Sequence, residues 1–372
     1  MTRRTAYRRP SRRTLLVAAI VTAVGAPALA SAGALAASSA SSGSSAAPAA
    51  PCVGQALPTL GGPYGTAIAA ATNGDIAGIA SNSSGASQAV LWHAGKLQQI
   101  RTGLAESVPA GINSHRDVVG SAPNGENTVG WAWSGNRTVR LRGTGNLAAL
   151  PAAISNSGVI VGALETTEGT PSEGDNKPGA AENEQAAVWR SSTGAPQILA
   201  PLPGDQGAHA YAVGGDGRIG GVSEGAVFRP VVWDQSGKPH ELPGLGGGYG
   251  IVRAFGPGGM AVGDVVAKNG TDHAVMWDAS GRITDLGLPQ GSRTAQATGV
   301  LPGGAVVGTA QVPAPGGGAV TQAVRWPAAG NPQPLTGQQS TAVTDVAPAR
   351  AAVGYRADAK GGRHPMMWRC GA

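Results

Sequence analysis

Seven tryptophan-ended segments, each preceded by a glycine-ended apolar run, constrain this chain more than any other feature. The pattern is G-x-[IV]-x-G, a variable gap, A-V-x-W, a turn and a Leu-containing stretch. The glycines are Gly78, Gly120, Gly162, Gly221, Gly263, Gly308 and Gly354. The tryptophans are Trp92, Trp133, Trp189, Trp233, Trp277, Trp326 and Trp368. Successive glycines lie 42 to 59 residues apart. A period of roughly 40–50 residues carrying about four short strands is the mark of a β-propeller. The expectation is an all-β, seven-bladed β-propeller over residues 52–372. Outside the N-terminal segment no stretch has a convincing helical period. The 60 glycines and 27 prolines suit many tight turns better than helices.

Within a repeat the strands are named a to d from the axis outwards. "GRIGGVS" and "RPVVW" are strands b and c, "DQSG" is a turn, "KPHELPGL" is strand d, and "IVRAFG" crosses to the next repeat. Pro239 and Pro243 mark strand d as a sheet edge, where a missing N–H is tolerated. One large ring at a fixed place in each repeat reads as packing between neighbouring blades. The N-terminal "CVGQALPTLGG" aligns with "GKPHELPGLGG", and the chain ends on "HPMMWRC". It thus starts on a d strand and stops on a c strand, so the N-terminal strand is expected to complete the last blade. Cys52 and Cys370, the only two cysteines, fall on the two sides of that severed c–d hairpin. They are expected to form a disulfide.

Residues 1–36 read as an export signal and stand outside the fold argument. Six arginines, Arg12 and Arg13 among them, precede an uncharged apolar stretch that is too short and Ala/Gly-rich for a good membrane span. Ser11-Arg12-Arg13-Thr14-Leu15-Leu16 resembles the twin-arginine export motif, with an ordinary secretory signal as the alternative. Residues 37–51 form an Ala/Ser/Pro linker too polar and small to bury a core. Removing the six signal arginines from the 27 Lys+Arg leaves 21 against 21 Asp+Glu. No basic excess remains to attract phosphate, so no nucleic-acid partner is expected, nor a membrane span after processing. The expected partners are the export machinery, through the signal, and an extracellular ligand such as a glycan or a cell-surface protein.

At this level of detail the chain resembles the extracellular HAF-repeat proteins. Gly111-Ile112-Asn113…Val118-Val119-Gly120 and Ala153-Ile154-Ser155-Asn156-Ser157-Gly158-Val159-Ile160-Val161-Gly162 match the "IN-x-x-G-x-VVG" part of that repeat. His273-Ala274-Val275-Met276-Trp277 matches "HAF-x-W", with Val for Phe, and Asp285-Leu286-Gly287 and Leu245-Gly246-Gly247 match fragments of "DLGTLGG". The resemblance spans about residues 55–370. It implies secretion and a repeat fold, and transfers no catalytic residue.

No enzymatic signature stands out. The chain has no G-x-S-x-G elbow, H-E-x-x-H, Walker loop or C-x-x-C pair. Its six histidines show no metal-ligand spacing and read as turn and strand-edge residues; no metal and no cofactor is expected. "WDASG" and "WDQSG" read as structural turns. An acidic insertion lies in the b–c gap of the third repeat, with Glu165, Glu168, Glu173, Asp175, Glu182 and Glu184 opposed only by Lys177. It reads as a solvated loop whose functional alternative is contact with a cation or a basic partner. Residues 163–185 are expected to lie outside the strand ladder. In an antiparallel blade the b–c and d–a connections share one face. The a–b and c–d turns are short and uniform, so variable loops concentrate on the b–c/d–a face, where propellers carry function. Tyr64 in "GGPYG" and Tyr249 in "GGGYG" take matching places there. Tyr64, Tyr249, Glu173 and Asp175 are the binding candidates. The expected function is a secreted, non-enzymatic binding or interaction module. The alternatives are a propeller enzyme, such as a polysaccharide lyase or glycoside hydrolase, and a structural surface protein without a small ligand. An enzyme should converge two carboxylates, or a His/Tyr/Arg set, near the axis.

Overall fold

The computed structural model describes residues 52–125, 127–166, 184–328, 331–336, 340–347 and 351–371. The export-signal residues Arg12 and Arg13, the linker, and Glu173 and Asp175 lie outside them. Among the described residues the chain is almost entirely β-strand, with one short 3-10 turn at Pro257–Gly259. The strands group into antiparallel units of four, numbered here in chain order. Unit 1 is Gly61–Ala70, Ile76–Asn82, Ser87–His93 and Lys96–Gln99. Unit 4 is Gly207–Val213, Ile219–Glu224, Phe228–Trp233 and Pro239–Glu241. Units 5 and 6 share one continuous sheet, joined by a single parallel bridge between Asp272 and Thr294. The last unit takes Thr341–Ala347, Ala351–Ala357 and Arg363–Arg369 from the C-terminus and Val53–Ala56 from the N-terminus. Val53 pairs with Arg369 and Ala56 with Met366, so the first strand of the chain completes the last unit as expected.

The first strands of the units touch one another in cyclic order, and the first strand of unit 1 also touches that of the last unit. This is the arrangement of a β-propeller, with the a strands innermost. The apolar core is divided accordingly. Each cluster of buried side chains joins two neighbouring units, and one of them, with Leu57, Ala67, Trp92 and Val353, joins the last unit to the first. Middle strands are thus covered on both faces, which is why "GVIVGAL" and "AAVW" are continuous apolar runs rather than alternating ones.

The repeat tryptophans are all buried. Each packs toward the preceding unit, and five of them donate an indole N–H to a backbone carbonyl in the connector arriving from it. Trp92 bonds Pro58 O, Trp189 Arg142 O, Trp233 Ala200 O, Trp277 Pro243 O and Trp326 Gly287 O, at 2.7–3.0 Å. The ring fills the seam while its polar edge pins the chain that crosses it.

The repeat glycines answer to a different feature. The innermost strand of each unit has a register shift at one equivalent place, leaving one residue without a cross-strand partner: Ile68, Ala110, Ala152, Tyr211, Arg253, Thr298 and Thr344. Opposite each bulge the repeat glycine faces a carbonyl oxygen of the bulged strand. A Cβ on Gly221 would land on His209 O, and one on Gly263 on Ile251 O. The same overlap arises at the other five glycines. The glycine therefore marks a bulge, and the bulge presents one special residue of each innermost strand.

Two expectations need correction. The second strand of unit 3 runs Ile160–Thr166, with Leu164 paired to Gln185, so residues 163–166 and 185 belong to the ladder. Ala163 and Leu164 are fully buried, and their packing carries the strand past Gly162. The c–d turns are also less uniform than expected. Trp189 to Gln197 and Trp326 to Gln333 are longer links than His93 to Lys96. Outermost strands hydrogen-bond only to their own third strand, so no neighbouring ladder holds those links to one length.

Candidate functional site

The bulge positions differ in chemistry around the ring. They are apolar or small in units 1 to 3 (Ile68, Ala110, Ala152) and hydroxyl-bearing in units 6 and 7 (Thr298, Thr344). Units 4 and 5 alone place a large polar side chain there, Tyr211 and Arg253. Around these two a polar centre forms from residues of units 3 to 6, toward the b–c/d–a face.

On one side His209 precedes Tyr211 by two residues and stacks on it, with ring centroids 4.3 Å apart and planes within 5°. His209 is buried and its Nδ1 lies 3.8 Å from Glu184 Oε2. Glu165, at the end of the second strand of unit 3, completes a group whose ligand atoms all lie within 4.8 Å of one another. Burial works against a charge on His209, but the carboxylates of Glu184, Glu165 and Glu224 outweigh it and raise its pKa. Tyr211 is held protonated by burial first and by the charges of Glu224 and Glu184 next.

On the other side the Arg253 guanidinium pairs with Asp264, which is fully buried. Burial disfavours the charge on Arg253; Asp264 more than offsets this and raises its pKa. Burial and the Asp264 charge push Asp272 up to about 8, and Asp272 Oδ1 is buried without a hydrogen-bond partner among the described residues. The centre thus sets a carboxylate paired with a guanidinium beside a second one, Asp272, that burial keeps protonated.

Tyr249 belongs to this centre. It packs on Phe228 at 5.8 Å and feels the charges of Asp264, Arg253 and Tyr211, and its pKa is raised chiefly by burial. Tyr64 has the equivalent place in unit 1 but different surroundings: it is exposed and lies against His364 of the last unit at 5.9 Å. Both tyrosines sit in register irregularities, between Gly61 and Gly65 and between Gly246 and Gly250. They share a face and a role in the repeat, but not a common cluster.

The other histidines and the Trp-Asp turns are structural. His93, His240, His273 and His364 each pair with an aspartate, Asp75, Asp234, Asp285 and Asp358, and His115 is exposed. Asp234 Oδ1 accepts from Ser236 N at 2.9 Å and Lys238 N at 3.1 Å, which closes the "DQSG" turn. Asp278 does the same in "DASG"; the Ser280 hydroxyl and the Arg282 N–H lower its pKa to about 2. Sequence spacing does not reveal the Glu165, Glu184 and His209 group, because its members come from two repeats. The one legible signal is that Tyr211 and Arg253 stand at the bulge position, 10 residues before a repeat glycine in each case.

Cys52 and Cys370 form a disulfide across the paired strands Val53–Ala56 and Arg363–Arg369 of the last unit. No helix among the described residues is long and apolar enough to cross a membrane. No family model and no curated protein matches this chain. Among solved structures it is similar to TolB from Acinetobacter baumannii (14% identity, TM-score 0.42, 59% of this chain and 53% of that one). It is also similar to the β-propeller domain of the Trilobed protease from Pyrococcus furiosus (14%, TM-score 0.49, 73% and 81%). A structure from a study of two prolyl endopeptidases aligns at 10% identity and TM-score 0.54, over 83% of this chain and 50% of that one. The chain spans about half the length of the TolB and endopeptidase chains. At such identities the likeness concerns the fold alone, and the chain is a β-propeller.

Proposed function

We propose that the units are the blades of one seven-bladed ring, exported through the N-terminal signal and related to the extracellular HAF-repeat proteins, and that it works as a non-enzymatic binding module. The binding site is the polar centre on the b–c/d–a face, with Tyr249 as one contact and Tyr64 as a second further round the ring. One observation carries this reading: large polar side chains occupy the bulge positions only in units 4 and 5, while the remaining bulges are apolar or small. A scaffold needing only stability would have no use for that asymmetry, since buried polar groups are costly unless they serve recognition or are fully satisfied. The disulfide supports an exported protein. The ligand is a glycan or a cell-surface protein.

A screen of the purified chain against glycans, cell-wall fragments and surface proteins tests this. Saturable capture should fall at least about tenfold in Tyr211→Phe or Tyr249→Ala, the loss of one good polar or aromatic contact. Gln235→Ala on the opposite face should leave it unchanged. Capture that ignores all three substitutions would refute the site. A second reading, cleavage of a glycosidic bond, is favoured by Asp264 paired with Arg253 beside Asp272, which burial keeps protonated. Release of reducing ends that Asp272→Asn abolishes would establish it over the first.

A further inference from the structure

We propose that Glu165, Glu184 and His209 form a three-ligand site for a divalent transition-metal ion, Zn2+ foremost. The proposal rests on reading this face as the binding face, and it gives that face a chemical handle.

The geometry has the width of an ion. The three ligand atoms lie within 4.8 Å of one another. His209 Nδ1 and Glu184 Oε2 are 3.8 Å apart, beyond the roughly 2.7–3.2 Å of an N–H···O hydrogen bond. Metal–ligand bonds of about 2.0–2.2 Å from one ion to both atoms span such a gap. One imidazole nitrogen with two carboxylate oxygens is a donor set that suits Zn2+, and three protein ligands leave a coordination position open for a group of the bound partner.

The ligands are also held in place. His209 is 8% exposed, and stacking on Tyr211 fixes its ring plane. Ala208 N donates to Glu184 O at 3.2 Å, which ties the strand carrying His209 to the one beginning after Glu184. Glu165 stands opposite Ala148 on the same sheet. The other histidines make a contrast with this geometry. His93, His240, His273 and His364 each contact their aspartate at 3.1 Å or less. Among the described residues His209 is the histidine that is buried and faces more than one carboxylate, Glu184 and Glu165 within the same group. A third carboxylate, Glu224, acts on it as well. Partly buried carboxylates gathered around one buried imidazole make a site that a cation neutralises.

The experiment uses tag-free chain, stripped with chelator and then titrated with Zn2+ by calorimetry, with Co2+ as a spectroscopic stand-in. One Zn2+ per chain is expected, and the Co2+ form should show visible d–d bands of a low-coordinate N/O site. His209→Ala and Glu184→Gln should each weaken binding by at least about tenfold, the loss that even outer partners of a metal cause. His364→Asn should not. Glu184→Gln keeps the side-chain shape, so the test survives if the alanine variant folds poorly, as circular dichroism will show. Sub-stoichiometric uptake, or uptake that neither variant weakens, overturns the site. Zn2+ titration needs no other ligand. A chain that captures its ligand equally with and without chelator and takes up no Zn2+ overturns this proposal alone. A chain that binds Zn2+ through these residues yet captures nothing overturns only the proposed function.

Discussion

At the scale of single residues, the recurrent glycine is explained by what its missing side chain would strike. Gly221 faces His209 O with no room for a methyl group, so Gly221→Ala must push the first and second strands of unit 4 apart. Overpacking of this kind costs about 1–3 kcal/mol. Denaturant unfolding should show that loss, with a disturbed His209 as its local consequence; an unchanged midpoint would refute the account. Asp272 makes a second residue-level prediction. Its folded pKa is about 8 against an ordinary 3.8. Between those values the folded state binds more protons than the unfolded one, so this group's contribution to stability falls as pH rises through that window. Asp272→Asn should flatten the fall in urea midpoint between about pH 5 and 8. An identical slope in both proteins would show that Asp272 is ionised in the fold.

At the scale of elements, the chain builds one strand quartet repeatedly and varies only what the quartet does not need. Third strands carry a buried tryptophan near their ends, and in five units its N–H holds the incoming connector and fastens the unit to the one before it. The insertion in unit 3 shows where an element stops. Leu164 and Gln185 pair in the ladder, and Leu164 is fully buried. Replacing residues 167–183 by an Asn-Gly turn should leave the melting temperature within a degree or two, since the pair of strands is already in hairpin register. Deleting 163–185 should lower it markedly, because a buried leucine alone is worth about 2–5 kcal/mol. Equal melting temperatures for the two deletions would show that the strand ends contribute nothing.

For the whole molecule, closure of the ring is the decisive step. The last unit is made from both ends of the chain and sealed by Cys52–Cys370, 318 residues apart. In the chain-entropy model a loop this long stabilises by about 5–6 kcal/mol, and measured gains are usually smaller. Reduction, or Cys370→Ser, should therefore lower the melting temperature while leaving a folded ring, because Val53–Ala56 still pairs through its backbone. Complete loss of structure on reduction would mean that the backbone pairing cannot hold the closure. Inside the same seam Asp345 accepts from Ala70 N at 2.8 Å, and burial raises its pKa to about 6. The folded ring keeps that proton longer than the unfolded chain, so its stabilising share is complete near pH 4 and is lost as pH rises through about 6. Asp345→Asn should remove this part of the pH dependence, read from thermal scans at pH 4 and pH 7.

The amino-acid order determined the repeat, the strand quartet, the severed last unit and the cysteine pair, because each is written as a period or as a mismatch between the two ends. Hydrophobic patterning and turn residues act locally, and local rules are legible along a chain. What the tertiary structure alone decided is the site. Glu165 and Glu184 come from unit 3 and His209 from unit 4, and Asp272 keeps its proton only through burial and the nearby Asp264 charge. Tyr64 and Tyr249, alike in the repeat, part company because one seam half-buries its tyrosine against Phe228 and the other leaves it exposed beside His364. Proximity and dielectric are properties of the closed ring, and no spacing along the chain encodes them.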